Sequence, residues 1–147
     1  CDFTIAAEHA IFGQNGPRVG SPASGAMVSY LTRVIGAKRA REMWMLCRRY
    51  TAGQALEMGL VNAVVSMEKL DEEVGRWCRE ILALSPTCLR VLKASFVEEF
   101  SSLLGQGDQF RRFMTTRKFW EEEQQEGARA FIEKRQPDFS RFRRRQA

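Results

Sequence analysis

The sequence predicts an α/β protein in which a few short strands come first and a long helical stretch follows. Strand-like apolar runs, β-branched in part, sit only in the first half, at 3–8, 10–13 and 60–65. From residue 67 onward apolar residues recur at steps of three and four, the spacing of one helix face. No Pro/Gly/Ser-rich linker, repeat or low-complexity block interrupts the chain, so residues 1–66 read as a strand-bearing core and 67–147 as a helical segment that continues it. At 147 residues, with 44% hydrophobic and 28% charged residues, the chain has one-domain size and can bury a core.

The first elements are the strands "FTIAAE" and "AIFG", with His9 near a strand end, where it reads as an ordinary surface or packing residue. "FGQNGPRVGSPASGAM", residues 12–27, then places Gly13, Gly16, Gly20, Gly25 and Ser21 between a strand and an amphipathic helix. Loops of this kind often line active sites, because glycine lets backbone amides approach a ligand. Thr51 can cap the turn "AGQALEM", and Gly59 can end it before the strand "LVNAVV". Over 67–84, Leu70, Val74, Trp77, Ile81 and Leu84 share one helix face. Ser85 caps the next helix with Pro86 at its first position, and Leu89, Leu92, Phe96, Phe100 and Leu103 repeat the spacing. Both stripes read as core.

No apolar run approaches the roughly 18 to 20 residues of a membrane span, and the start lacks the basic region of a signal peptide, so a soluble protein is expected. Cys1, Cys47, Cys78 and Cys88 form no CxxC pair, which points to buried free thiols in a reducing compartment rather than a disulfide or a metal site. The net charge of +5 leans on "RQPDFSRFRRRQA", where Arg135, Arg141, Arg143, Arg144 and Arg145 alternate with Phe139 and Phe142. Basic residues interleaved with aromatics suit nucleic acid. The absence of a basic stripe elsewhere favours a solvated tail, or one whose phenylalanines dock on a neighbouring subunit. Three short strands that begin abruptly cannot make a self-sufficient sheet, so the chain is expected to be the second half of a larger fold and not to be monomeric.

"CDFTIAAEHAIFGQNGPRVGS", "YLTRVIGAKRAREMWMLCRRYTAGQALEMGLVNAVV" and "EGARAFIEKRQPDFSRF" resemble the crotonase superfamily. Within it, "FGQNGP", "REMWMLCR" and "KRQPDF" resemble the 1,4-dihydroxy-2-naphthoyl-CoA synthases of menaquinone and phylloquinone biosynthesis. The resemblance implies the C-terminal half of a ββα spiral with a helical, trimerisation-type tail, assembled as a trimer or hexamer, in a bacterial cytoplasm or an organelle matrix. It implies an intramolecular Claisen ring closure of o-succinylbenzoyl-CoA, with the thioester oxygen held by two backbone N–H groups and bicarbonate borrowed as the base. The positions it assigns are Ser21 to catalysis, Gln14, Asn15, Gly16 and the Trp44 indole to bicarbonate, and Phe131 and Lys134 to the CoA. A CoA thioester is the implied substrate, and no metal is involved.

Three departures set this chain apart from that pattern. The family's "VGSFDGG" is "VGSPASG" here, so Ser21 is kept while Ala23 replaces the catalytic aspartate. The neighbouring Ser24 would need an activating base, and His9 is poorly placed to be one. The family's tyrosine falls on Phe119, or on Trp120 if the count slips by one, and Tyr30 and Tyr50 lie elsewhere. The segments that supply the oxyanion hole in crotonases precede the strand at Cys1. Gly16 further disfavours a hydratase, which needs a carboxylate at that position. Three readings follow: a synthase whose first half lies outside this sequence, a crotonase-like pseudoenzyme serving as a structural subunit, and a basic nucleic-acid accessory supported only by the tail.

Overall fold

A computed structural model describes residues 1–21, 23, 25–104 and 119–142. The α/β expectation holds. β1 (Ile5–Ala7) pairs in parallel with β4 (Ala63–Val65), Ile5 facing Ala63. β2 (Ile11–Gly13) pairs antiparallel with β3 (Arg49–Thr51), Phe12 facing Tyr50. Asn62 stitches the parallel pair: its N–H donates to the Thr4 carbonyl at 2.8 Å, and its Oδ1 accepts from the Thr4 N–H at 2.8 Å.

The sequence pattern does not reveal β3 and marks Thr51 only as a cap. Three residues are too few for alternation to show. Thr51 serves both elements, ending β3 and starting α3 (Ala52–Glu57) through a capping box: its hydroxyl accepts from the Gln54 N–H while the Gln54 side chain accepts from its own N–H.

Between the strands, α1 (Gly25–Ile35) and α2 (Ala37–Leu46) pack on each other through Leu31, Ile35, Ala40 and Met43, joined by Met58. A second cluster, Ala6, Ala52, Ala55 and Val61, fills the space between β1 and α3. Its small side chains let α3 lie close to the strands.

The helix over 67–84 appears as a 3-10 turn, Met67–Lys69, running into α4 (Leu70–Leu82). Next, α5 (Pro86–Leu104) starts where expected, with the Ser85 hydroxyl accepting from the Cys88 N–H at 3.4 Å. The expectation that both stripes are core needs correction. Leu70, Trp77, Ile81 and Leu89 are half-buried, but Val74, Leu84, Leu92 and Phe96 are exposed, Phe96 by 62%. The reason is that α4 rests on β1 and α5 on α1, each along one side only. The side chains of Phe100 and Leu103 lie outside the described residues. The thiols are corrected in the same way: all four are free, but only Cys47 is buried, because Cys78 and Cys88 sit on uncovered faces of α4 and α5 and Cys1 on the exposed first residues.

The C-terminal part returns to the first. A π-helical turn, Phe119–Glu123, leads into α6 (Gln124–Ile132), which lies against the 3-10 turn Gly16–Val19. The approach is backbone to backbone: a Cβ on Gly127 would stand 2.3 Å from the Val19 carbonyl carbon and 2.5 Å from the Gly20 nitrogen. Glu126 of α6 is buried. Its carboxylate accepts from both arms of Arg135, at 2.6 and 3.1 Å, and from the Asp138 N–H at 2.9 Å. Asp138 in turn accepts from the Ser140 N–H at 3.0 Å. The start of the basic tail is thus folded onto this chain's own helix. Arg135, which also pairs with Glu133, is spent on internal carboxylates rather than offered to a polyanion. Arg143, Arg144 and Arg145 lie outside the described residues. Among the described residues no helix is long and apolar enough to cross a membrane, and no group of three His, Cys, Asp or Glu could hold a metal ion.

Candidate active site

The loop after β2 is built by its own backbone. The Asn15 carbonyl accepts from the N–H groups of Arg18 and Val19, at 3.0 and 3.3 Å, and the Ser21 N–H donates to the Gly16 carbonyl at 2.9 Å. This closure leaves no room at residue 16, where a Cβ would stand 2.5 Å from the Ser21 carbonyl oxygen. A glutamate there would have to open the loop. Residue 16 is therefore glycine for a backbone reason, in addition to offering no acid.

Beside the loop lies a cavity of about 440 Å³. Gly20, Ser21 and Ala23 form one side, Trp44 and Met45 of α2 another, and Glu123, at the end of the π-helical turn, a third. Trp44 belongs to the core as well as to the cavity, for it packs against the α1–α2 cluster. Its indole Nε1 is buried and has no hydrogen-bond partner. An unmade hydrogen bond of this kind costs about 1–3 kcal/mol, so the fold carries a donor that nothing among the described residues satisfies.

Ser21, Ala23 and Trp44 therefore come together on one cavity, while Gln14, Asn15 and Gly16 do not line it. The wall does not fit a bound bicarbonate. Of the donors that the resemblance assigns to the anion, only the Trp44 indole is on it, and Glu123 adds a carboxylate that would repel a second anion. Phe131, 72% exposed, and Lys134, which takes a left-handed backbone at φ 53°, are both outside the cavity wall. Phe119 opens the π-helical turn, but its side chain is outside the described residues, as is Ser24. Trp120, the alternative for the family's tyrosine, is 44% exposed.

His9 is exposed and off the cavity. Tyr50 does not replace the missing phenol. Its hydroxyl donates to Glu42 Oε1 at 3.0 Å, and Arg48 donates to the same oxygen at 2.6 Å. Arg48 first and Tyr50 second hold the Glu42 carboxyl below the usual range, while desolvation and then Glu42 push the Tyr50 phenol up.

Glu123 is the titratable cavity residue, and the sequence pattern does not mark it. It sits in the acidic run "EEEQQE", 121–126, which looks like a solvated first helical turn favoured by the helix dipole. Only the fold shows that one of these glutamates shares a cavity with the glycine loop, more than a hundred positions earlier in the chain.

Residues 1–142 match the family model for enoyl-CoA hydratase/isomerase. Among solved structures, a methylmalonyl-CoA decarboxylase in complex with 2-nitronate-propionyl-CoA is 29% identical, over 94% of this chain and 54% of that one, with a TM-score of 0.81. An enoyl-CoA hydratase subunit I from Geobacillus kaustophilus HTA426 is 37% identical, over 95% and 54%, with a TM-score of 0.62. A carnitinyl-CoA hydratase from Mycobacterium avium is 26% identical, over 95% and 55%, with a TM-score of 0.79. The chain thus spans about half the length of the structures it matches. With the family model matched over residues 1–142, the chain belongs to the enoyl-CoA hydratase/isomerase family, of the crotonase superfamily.

Proposed function

We propose that this chain forms the acyl-group wall of a CoA-thioester-processing site, and that its reaction is of the naphthoyl-CoA synthase kind, the ring closure of o-succinylbenzoyl-CoA, run at reduced rate. The observation that carries the reading is the buried, unpaired Trp44 N–H on a cavity next to Ser21. A donor left unpaired in the free protein is available to an acyl-group oxygen, and Met45 and Ala23 supply apolar surface against which a ring can exclude water. The motifs "FGQNGP", "REMWMLCR" and "KRQPDF" support the synthase branch. The family neighbours were solved with, or are named for, CoA esters of other kinds.

The chemistry requires removal of a proton beside the thioester while its oxygen takes up charge, and Ala23 offers only a methyl where the branch has an acid. That methyl favours a second reading, a pseudoenzyme that keeps the pocket as part of a larger assembly. The exposed stripes on α4 and α5 suit further subunits or segments that cover them.

Calorimetric titration separates these ideas. The protein should bind o-succinylbenzoyl-CoA more tightly than CoA itself, and Trp44→Phe should weaken the thioester by roughly tenfold, the worth of one hydrogen bond. Equal affinity for CoA and its thioester would overturn the acyl-wall reading. Product formation raised by Ala23→Asp supports the impaired synthase; binding with no turnover in either protein supports the pseudoenzyme.

A further inference from the structure

We propose that Glu123 is the proton-transfer group of this cavity, moving a proton to and from the carbon beside the thioester. The proposal rests on the reading of the cavity as a CoA-thioester site. Glu123 is half-buried and lines the same space as Ser21, Ala23 and Trp44. Among the described residues it is the one titratable residue on the cavity wall. The contrast with Glu126 is instructive. Glu126, one turn further on, is committed to Arg135 and the Asp138 N–H, a structural use that leaves no free base.

Position matters as much as identity for a base. Glu123 sits where the π-helical turn meets α6, and its carbonyl oxygen lies 3.1 Å from where a Cβ on Gly20 would be. The Gly127–Val19 approach pins the same helix to the same loop from below. A carboxylate carried on backbone packed this closely is better positioned for transfer than one on a free loop. The loop itself offers nothing comparable, since residue 23 is alanine.

The step balances without a co-reactant. A Glu123 oxygen takes the proton from the carbon beside the thioester. The electron pair of that C–H bond becomes the C=C of the enolate, and the carbonyl π pair moves onto the thioester oxygen. Return of the proton to carbon restores both the thioester and the carboxylate. The unpaired Trp44 N–H on the same wall is a donor for oxygen on the acyl group.

The test follows deuterium entering the carbon beside the thioester of o-succinylbenzoyl-CoA in D₂O by mass spectrometry, with calorimetric affinity for the same thioester measured alongside. The protein should exchange faster than the protein-free solution. Glu123→Gln should slow exchange by about 10²- to 10⁴-fold, the usual worth of a positioned base, with affinity held within about twofold. Glu123→Asp should retain an intermediate rate, and Glu122→Gln, an exposed neighbour on the same turn, should change nothing. Exchange at the normal rate in Glu123→Gln overturns the proposal. So does a wild-type protein that binds the thioester without exchanging it, and that result leaves the acyl-wall reading standing. A wild-type protein that binds no thioester overturns both.

Discussion

Gly127 offers a test in which the sign of the answer, not only its size, is set by the fold. Replacing a glycine inside a helix by alanine normally stabilises it by about 1 kcal/mol, because the chain loses less freedom on folding. At Gly127 the new methyl carbon would lie 2.3 Å from the Val19 carbonyl carbon, 2.4 Å from its oxygen and 2.5 Å from the Gly20 nitrogen. Carbon contacts relax near 3.5–4.0 Å, so α6 and the 3-10 turn must part by roughly 1 Å. All three obstructing atoms are backbone and cannot swing aside as a side chain would. Overpacking of this sort costs about 1–3 kcal/mol, and with the loop and Glu126 both attached the upper part of that range applies. Net of the helix gain, Gly127→Ala should lose about 1–2 kcal/mol, or roughly 2–8 °C in melting temperature for a chain of this size. Gly75 in α4 is the control. A Cβ there meets only the tip of Arg79 at 3.3 Å, which can move, so Gly75→Ala should raise the melting temperature. Differential scanning calorimetry of the two variants decides the matter. A Gly127→Ala protein that melts higher, alongside Gly75→Ala, would mean that α6 does not lie on the glycine loop.

Thr51→Ala should cost about 1 kcal/mol through loss of the capping box, with Thr51→Ser largely neutral; equal melting of all three proteins would count against the cap. Glu126→Gln removes the charge that holds Arg135 and should cost about 1–3 kcal/mol, below the value for a fully buried pair because the Arg135 side chain is 39% exposed. It should also speed proteolysis between 135 and 140, and an unchanged cleavage rate would show that the Glu126 contacts do not hold the tail. The Glu73 carboxyl, held down to about 2 by Arg76 first and Trp77 second, should titrate well below an ordinary glutamate in a carbon-13 NMR experiment. Because its folded value is depressed, the stabilisation it provides is complete above its unfolded value near 4.5 and disappears as pH falls toward 2. The melting difference between wild type and Glu73→Gln should therefore close over that window, and titration of Glu73 near 4.5 would remove the basis for it.

Local chemistry was the legible part of this chain. Thr51, Ser85 and Pro86 mark helix starts by hydrogen-bonding rules that act over three or four residues, and each helix begins where they say. β3 was hidden because three residues carry no period, and because Thr51 does two jobs at one position. The stripes of α4 and α5 gave the right helices but the wrong depth. Periodicity reports which face is apolar, whereas burial depends on how much of that face another element covers. In the candidate site, Ser21, Ala23 and Trp44 were visible from motifs. Glu123 was not, since its place on the cavity depends on α6 returning to the glycine loop, and the close approach of Gly127 to Val19 that marks this return joins positions more than a hundred apart.

The parallel pairing of β1 with β4 has a consequence for the order in which the chain assembles. Thr4 and Asn62 stand 58 positions apart, and joining two such points in a free chain costs roughly 3–4 kcal/mol of loop entropy. A ladder of three residues cannot offset that alone. α1, α2 and α3 must condense first and shorten the effective loop, so β1 docks as a late event onto a preformed β4. Pulse-labelling hydrogen exchange during refolding should then find the Glu8 and Asn62 amides, which bond to Val65 and Thr4 across this pair, protected after those of α1 and α2. β1 is thereby fixed late, and on a ribosome its pairing would wait for the synthesis of β4, 58 positions further along the chain.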